Sequence, residues 1–449
     1  MRQLLGDSEW QLLAAALDEP PPVSIRYNPN RRPADPALLP AAAGPVLWHP
    51  EGVYLKERPV FTLDPLFHAG AYYVQEASSM FVYEVLRQTG RLSQPLKILD
   101  LCAAPGGKTT LLNDALEVAK GGFLAANEVM PTRAAVLREN LERWGVAYAA
   151  VLGADVDKFE SLTDWFDVIL VDAPCSGEGM FRKDPDAVGE WSPGNVALCT
   201  TRQSHILEAA EKILAPGGLL LYSTCTYNRS ENEDNFKRHI DTLGYNPVVL
   251  DIPEKWGVTS SDCGYKFFPH RTKGEGFFIA AYEKKGDSAT AKMSIPGGFK
   301  HLTPLPKKQI SILASWINPA QGQTFWTTPS GEILAIPEKI LENMRILDPL
   351  FKNKWFGCPI GTIKGTDFIP GHALALSDLL LPVPRLDLTR EQALTFLKKE
   401  TFPPPPESSL GWTLVTYSDL PLGWIKILPN RINNYLPPER RIRMEVKGR

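Results

Sequence analysis

The chain has 449 residues, 44% of them hydrophobic and 22% charged, which is ordinary for a soluble protein with room for roughly two to four domains. Its formal net charge of −3 does not announce a nucleic-acid binder, so any basic surface must be local. Six cysteines include no C-x-x-C pair and no metal-type Cys/His spacing, which argues against a structural zinc and for free thiols.

Residues 4–17 carry an amphipathic helical pattern closed by Pro20-Pro21-Pro22; acidic residues within it exclude a signal peptide or a membrane span, and a cytosolic location is expected. Next comes VSIRYNPNRR, a strand and turn that puts Arg26, Arg31 and Arg32 beside Tyr27. That grouping reads equally as a single-stranded RNA contact or as a solvated turn. Prolines and alanines from Pro33 to Pro45 look like a connector, Val46–Leu66 is β-rich, and Gly70–Met80 leads into a helix ending near Gly90.

The stretch Lys97–Leu112, KILDLCAAPGGKTTLL, organises the middle of the chain. Ile98, Leu99 and Leu101 predict a short buried strand, Pro105-Gly106-Gly107 a tight turn, and Thr109 onward a helix. Glycines let a ligand approach the main chain, and the helix start offers unpaired N–H groups to a carboxylate or phosphate. A P-loop would need glycine where Cys102 stands, and the G-x-G-x-x-G dinucleotide fingerprint is absent. Glu128, about 20 residues on at the end of a second strand, suits ribose hydroxyls. One ribose without a pyrophosphate loop suggests S-adenosylmethionine.

Strands are expected at 97–101, 122–127, 148–153, 167–172 and 218–223, with helices at 108–119, 131–144 and 199–214. This alternation implies a doubly wound parallel sheet, in the common order 3-2-1-4-5, with ligands at the carboxyl ends of its strands. A closing hairpin is expected at 263–283, with Phe277–Ala280 as the last apolar strand. Polar residues 284–300 read as a linker. Beyond it lie a small unit at 301–375, with a helix over Pro306–Trp316, and a strand-turn-strand unit at 382–449, with a helix over Thr389–Lys399, that suggests a small β barrel. From Lys426 to the end there are seven Lys and Arg against two Glu, among Trp412, Tyr417, Trp424 and Tyr435; solvated tail and RNA footprint are equally compatible with this.

DAPCSGEG and YSTCTYNRSENE each finish a strand with a cysteine, Cys175 and Cys225. In the expected order these strands are neighbours, which brings both thiols to the crevice of the cofactor turn. Cys102, Cys199, Cys263 and Cys358 are more simply small buried hydrophobes. Carbon-5 of a pyrimidine is a weak nucleophile, and a thiolate adding at C6 makes it enamine-like. Asp172 stands where a carboxyl group would meet N3, and Lys108, Arg182 or Lys183 would favour a thiolate. Pro174-Cys175 also occurs in zinc deaminases, but Glu178 replaces their second cysteine and H-x-E is missing.

CAAPGGK, DAPCSGEG and YSTCTYNRSENE resemble the motifs of the NOL1/NOP2/Sun family of RNA 5-methylcytosine methyltransferases. PPPVSIRYNP, YYVQEASSM and the ending GWIKILPNRINNYLPPERR resemble its bacterial RsmF branch, which modifies small-subunit ribosomal RNA. The resemblance implies an α/β fold with a Rossmann-like catalytic core at 91–285, an N-terminal α+β subdomain at 1–90, a linker at 286–300, an intermediate unit at 301–375 and a PUA-like module at 382–449. It implies an rRNA cytosine-C5 methyltransferase of ribosome biogenesis, using S-adenosylmethionine and no metal, on 16S rRNA or the small subunit, with tRNA as the alternative, acting as a monomer without a membrane. Cys225 would be the nucleophile and Cys175 would promote product release. Asp172 would hold the cytosine near the methionine end of the cofactor. The turn Cys102, Ala103, Ala104, Pro105, Gly106, Gly107 and Lys108 would hold the methionine part, Glu128 the ribose, and Asp155 the adenine, with Arg133 at the same site. Ile425 and Asn433-Asn434 interrupt the more basic run that the family pattern leads one to expect. A catalytically silent RNA-binding assembly factor is the competing class; retention of both cysteines speaks against it.

Overall fold

A computed structural model describes residues 1–119, 121–146, 149–184, 186–286, 296–318, 322–406 and 408–444; most of the expected linker and the last five residues lie outside them. The strands in chain order are β1 (Ser24–Tyr27), β2 (Ala42–Pro45), β3 (Gly52–Leu55), β4 (Tyr72–Val74), β5 (Leu96–Asp100), β6 (Gly122–Asn127), β7 (Ala149–Leu152), β8 (Phe166–Asp172) and β9 (Leu214–Thr224). They continue with β10 (Thr259–Ser260), β11 (Tyr265–Phe267), β12 (Phe277–Glu283), β13 (Thr303–Pro304), β14 (Gln323–Thr327), β15 (Ile333–Pro337), β16 (Lys354–Phe356), β17 (Cys358–Lys364) and β18 (Asp367–Pro370). The last four are β19 (Arg385–Asp387), β20 (Gly411–Tyr417), β21 (Leu420–Leu428) and β22 (Arg431–Asn434).

The central sheet runs β10-β11-β12-β9-β8-β5-β6-β7-β16. Its five parallel strands take the order 3-2-1-4-5 foreseen from the alternation, and β12 closes it antiparallel to β9 and β11. Side chains of a strand alternate between faces, and here both faces are covered. Leu99, Ile169, Val171, Leu220 and Tyr222 pack on one side with the helix Pro193–Ile213. Ile98, Val168, Leu170, Leu219 and Leu221 pack on the other with the helices Phe81–Gln88 and Gly107–Val118. The run Val168–Val171 is completely buried, each side chain contributing about 1.5–3 kcal/mol, so this strand pins the register of its neighbours.

Several boundaries move. The helix expected at 199–214 begins at Pro193, because the Ser192 side chain accepts the Asn195 N–H and Pro193 supplies the first turn. The helix expected over 4–17 is split by Gly6 into Arg2–Leu5 and Asp7–Asp18. Part of the proline-alanine connector is strand β2, paired with β3. Lys354–Phe356, from the unit read as separate, extends the central sheet by pairing with β7.

The two ends of the chain meet. Ile25, Leu55, Leu66 and Tyr72 share one core with Leu388, Phe396, Val415 and Ile425 of the C-terminal sheet, ordered β19-β20-β21-β22. Trp424 on the opposite face enters a second core with Leu313, Ile333 and Phe368 of the five-stranded middle sheet, and its Nε1 donates to the Gly371 carbonyl. Trp424 is thus a packing residue and drops out of the aromatic RNA footprint. No helix among the described residues is long and apolar enough to cross a membrane.

Candidate active site

The turn between β5 and the helix Gly107–Val118 is shaped by Gly106, whose φ of 109° is a conformation L side chains rarely adopt. No side chain caps this helix, so its first N–H groups face the turn. Arg26 braces the helix from below. It is fully buried and donates to Gln75 Oε1 at 2.9 Å and Thr110 Oγ1 at 2.6 Å, pairs with Asp114 and lies 4.5 Å from the Trp144 ring centre. Arg31 is also buried and donates to the carbonyls of Ala69, Arg143 and Leu376. Only Arg32 is exposed, paired with Glu51. The RNA-contact reading of this segment therefore fails for Arg26 and Arg31. Their charges are consumed in tying the N-terminal sheet to the turn, a role that sequence spacing does not reveal.

A cavity of about 240 Å³ opens over the turn. Cys102, Ala103, Ala104, Pro105, Gly107 and Lys108 line one side of it with Asp100, Asp172 and Cys225; Tyr73, Gln75, Glu76 and Glu275–Phe277 line the other. A larger cavity of about 340 Å³ lies against the helix Pro131–Trp144 and the C-terminal units, and holds neither Cys175 nor Cys225. The smaller one is lined by Cys225, Lys108 and Asp172; Cys175 is not on its walls and meets it only through Cys225.

Lys108 Nζ lies 2.8 Å from Asp172 Oδ2, and Ser223 Oγ donates to Oδ1 at 2.7 Å, so this carboxylate is fixed at the end of β8. Asp100, unremarked in the sequence, is completely buried at the end of β5. Its Oδ2 accepts from Thr109 Oγ1 at 2.7 Å, while Oδ1 meets no donor. Burial pushes this carboxyl up to about 7, with Asp172 adding to the effect. The signal was present in the sequence as an acidic residue ending the strand before the turn.

Cys175 and Cys225 come from the loops after β8 and β9, and their sulfurs stand 3.0 Å apart. The hydrogen bond from the Cys175 thiol holds Cys225 below the ordinary thiol range; burial and Asp172 oppose this and Lys108 assists it. The same hydrogen bond, followed by burial, pushes Cys175 up. Cys225 is therefore the better thiolate. Of the cations considered beside it, Lys108 alone lines the cavity. Arg182 is committed to Glu275 at 3.0 Å, and Lys183 is exposed outside it. Cys102 also lines the cavity, but burial and then Asp100 push its thiol up.

Two buried glutamates lace the cysteine loops together. Glu231, after Cys225, reaches across to accept from the Ser176 N–H at 3.0 Å and from Gln203 Nε2 at 2.8 Å. Glu178, after Cys175, reaches the opposite way and accepts from Thr226 Oγ1 and the N–H groups of Tyr227 and Asn228, each at 2.9 Å. Gly179 makes the close approach possible, since a β-carbon there would stand 2.8 Å from the Cys225 carbonyl. Neither glutamate's partners are legible in the sequence, because each acts on the other loop.

Glu128 is buried after β6, and its Oε1 accepts the Met130 N–H at 2.8 Å. Arg133 lies 3.4 Å from Glu128 Oε2 and donates to the Ala104 carbonyl at 2.9 Å, so it joins the turn to the carboxylate. Asp155 is exposed after β7 and caps the short helix Val156–Leu162 through the Asp157 N–H. These three stand beyond the walls of the thiol cavity, Glu128 and Asp155 after the next two strands of the sheet and Arg133 in the first turn of the helix Pro131–Trp144.

Residues 91–283 match the family described as 16S rRNA methyltransferase RsmB/F, residues 1–77 the N-terminal domain of 16S rRNA methyltransferase RsmF, and residues 383–442 the methyltransferase RsmF PUA domain. Ribosomal RNA small subunit methyltransferase F of Klebsiella pneumoniae is 30% identical over 451 residues, 95% of this chain and 91% of that one. Its namesake from Serratia proteamaculans is 34% identical over 385 residues, 83% of this chain and 78% of that one. A solved structure of a methyltransferase homolog protein from Pyrococcus horikoshii is 27% identical with a TM-score of 0.50, covering 63% of this chain and 97% of that one. With a cofactor turn on a doubly wound sheet, and relatives aligned over nearly its whole length, the chain belongs to the RsmB/F family of 16S ribosomal RNA methyltransferases, in the branch of ribosomal RNA small subunit methyltransferase F.

Proposed function

We propose that this S-adenosylmethionine-dependent rRNA methyltransferase modifies carbon-5 of a cytosine in 16S ribosomal RNA through a covalent bond between Cys225 Sγ and C6 of the base. The observation that carries this reading is the 3.0 Å thiol pair, with Cys225 the thiol held lower, beside the Lys108–Asp172 pair. S-adenosylmethionine, when bound, supplies an electrophilic methyl group on a sulfonium centre. The orphaned Asp100 Oδ1 suits its ammonium group, and the N–H groups at the start of Gly107–Val118 suit its carboxylate. Glu128 and Asp155 are assigned to ribose and adenine, with Arg133 fixing Glu128 to the turn.

Cys225 adds to C6, so that electron density accumulates at C5. Asp172 accepts a hydrogen bond from the pyrimidine edge while Lys108 and Ser223 hold it in place. After C5 is methylated its proton must leave, and Cys225 departs from C6 as thiolate, which restores the C5–C6 double bond. Cys175, having released its proton to solvent once Cys225 is bonded to C6, accepts the C5 proton and so returns to the thiol form it has in the resting pair. Residues 91–285 act as the catalytic unit, and 1–90, 301–375 and 382–449 as the units that support it and engage RNA.

The test is a denaturing gel with labelled small-subunit rRNA and cofactor. Cys225→Ala should abolish methylation and give no adduct. Cys175→Ala should accumulate a slow protein–RNA band that the double variant lacks. The band in Cys225→Ala and none in Cys175→Ala would reverse the two roles. Bisulfite sequencing of RNA from a deletion strain should show one or more lost 16S cytosines; a lost tRNA cytosine would redirect the substrate assignment.

A further inference from the structure

A second concavity of about 500 Å³ lies beside the thiol cavity, walled by Pro20–Val23, Leu55–Arg58, Pro269 and Thr272–Gly274. One length of chain serves both: Thr272, Lys273 and Gly274 line the groove, and the next residues, Glu275, Gly276 and Phe277, line the thiol cavity. Arg182 lies on the groove wall and joins the two, donating to the Gly274 carbonyl at 2.7 Å and pairing with Glu275.

The charges of the groove are one-sided. Lys56, Arg58 and Lys273 are exposed and make no ion pair among the described residues, while Glu57 is the one acidic residue on its walls. This stands out on a chain whose net charge is −3. Two of the cations lie over buried rings behind the groove, Lys273 Nζ 4.6 Å from the Tyr54 ring centre and Arg58 5.5 Å from that of Phe61, and the apolar walls themselves are Pro20, Pro21, Pro22, Val23 and Pro269, stiffened by the prolines. Unpaired cations interleaved with flat apolar surface suit a strand that presents a phosphate and a base at every step.

We infer that this groove binds the single-stranded RNA segment adjoining the target nucleotide, with Lys56, Arg58 and Lys273 on its phosphates. The inference rests on the reading of the thiol cavity as the place where an RNA base reacts. A polynucleotide whose base enters that cavity must leave it along the backbone, and the shared wall 272–277 leads into the groove. An acidic protein segment would use the same cations but has no reason to continue into the thiol cavity.

The test uses the full-length protein with a small-subunit rRNA transcript and compares wild type with the triple substitution Lys56→Gln, Arg58→Gln, Lys273→Gln. Each phosphate contact on a single strand contributes about 0.7 to the slope of log affinity against log salt, so the slope should flatten by about 2. KM for RNA should rise about tenfold or more with kcat retained, and calorimetric binding of S-adenosylmethionine should be unchanged. Should the triple variant lose cofactor binding through misfolding, Lys273→Gln alone must still flatten the slope by about 0.7. An unaltered slope and KM, or wild-type protein that does not bind the transcript, overturns the inference. Identification of the methylated base in the wild-type product is read separately. A base other than cytosine would sink the proposed chemistry while the salt slope still decides the groove.

Discussion

Cys175 Sγ stands 3.0 Å from Cys225 Sγ, although the two residues are 50 positions apart in the chain. Their hydrogen bond shifts the two thiols in opposite senses, Cys225 down and Cys175 up, as expected where Cys175 donates. Removing the donor should raise the Cys225 pKa. Alkylation of Cys225 by iodoacetamide, followed by mass spectrometry across pH 6–10, should therefore show its midpoint moving to higher pH in Cys175→Ala. A midpoint that stays or falls would show that Cys175 does not stabilise the thiolate.

Glu231→Gln should loosen the thiol pair without unfolding the sheet. Oε2 accepts from the Ser176 N–H and Gln203 Nε2, and Oε1 from Ser176 Oγ and Asn228 Nδ2; the amide keeps an acceptor for one pair and turns its NH2 toward the other, and a hydrogen bond to a charged group is worth about 1.5–3 kcal/mol. Methylation should fall about tenfold or more in kcat with KM for cofactor unchanged. The alkylation midpoint of Cys225 should move as well. A lower melting temperature with unaltered kcat would mark Glu231 as purely structural.

Asp100 gives a pH-dependent test. Its carboxyl is raised to about 7 in the folded protein, so the folded state holds a proton that the unfolded chain has lost. That bound proton makes the cofactor-free protein lose stability as pH climbs from about 4 towards 7. Asp100→Asn should remove this loss and stabilise the cofactor-free protein at pH 8 by on the order of 1–3 kcal/mol in urea melts. It should also weaken cofactor binding in calorimetry. Unchanged affinity would release Asp100 from the ammonium assignment.

Glu128→Ala should weaken cofactor binding by about 1.5–3 kcal/mol, the worth of hydrogen bonds from ribose hydroxyls to a charged acceptor. RNA affinity in filter binding should be spared. Equal losses of both would point to a collapsed β6 end, since Glu128 also accepts the Met130 N–H.

The C-terminal sheet calls for point substitutions, because deleting 382–449 would uncover Ile25, Leu66 and Tyr72. Truncation should lower the melting temperature of everything that remains. Lys426 lies 5.4 Å from the Trp412 ring centre, Trp412 is 4.3 Å from Tyr435, and Tyr435 is exposed. Lys426→Glu with Tyr435→Ala should weaken RNA binding by about 1–3 kcal/mol per lost base stack. Equal affinity in wild type and double variant would assign this aromatic group to packing.

The sheet, and the residues that gather at the carboxyl ends of its strands, were legible in the sequence. Apolar runs such as Val168–Val171 fit only a strand buried on both faces, alternation with helices requires parallel crossovers, and a proline-glycine turn after the first strand marks the cofactor end. Lys108, Asp172, Cys175 and Cys225 were legible because each ends a strand or opens the following helix, where topology alone gathers them. Tertiary structure decided the partners of long polar side chains. Whether Arg26 and Arg31 face RNA or a buried Asp114 and carbonyls depends on residues 38 to 345 positions away, and local pattern holds no record of such distances. The same holds for Glu178 and Glu231, which cross from one cysteine loop to the other, for Trp424, and for the joining of the chain's two ends in one core. Hydrophobic periodicity says that a face will be buried; only packing chooses what buries it.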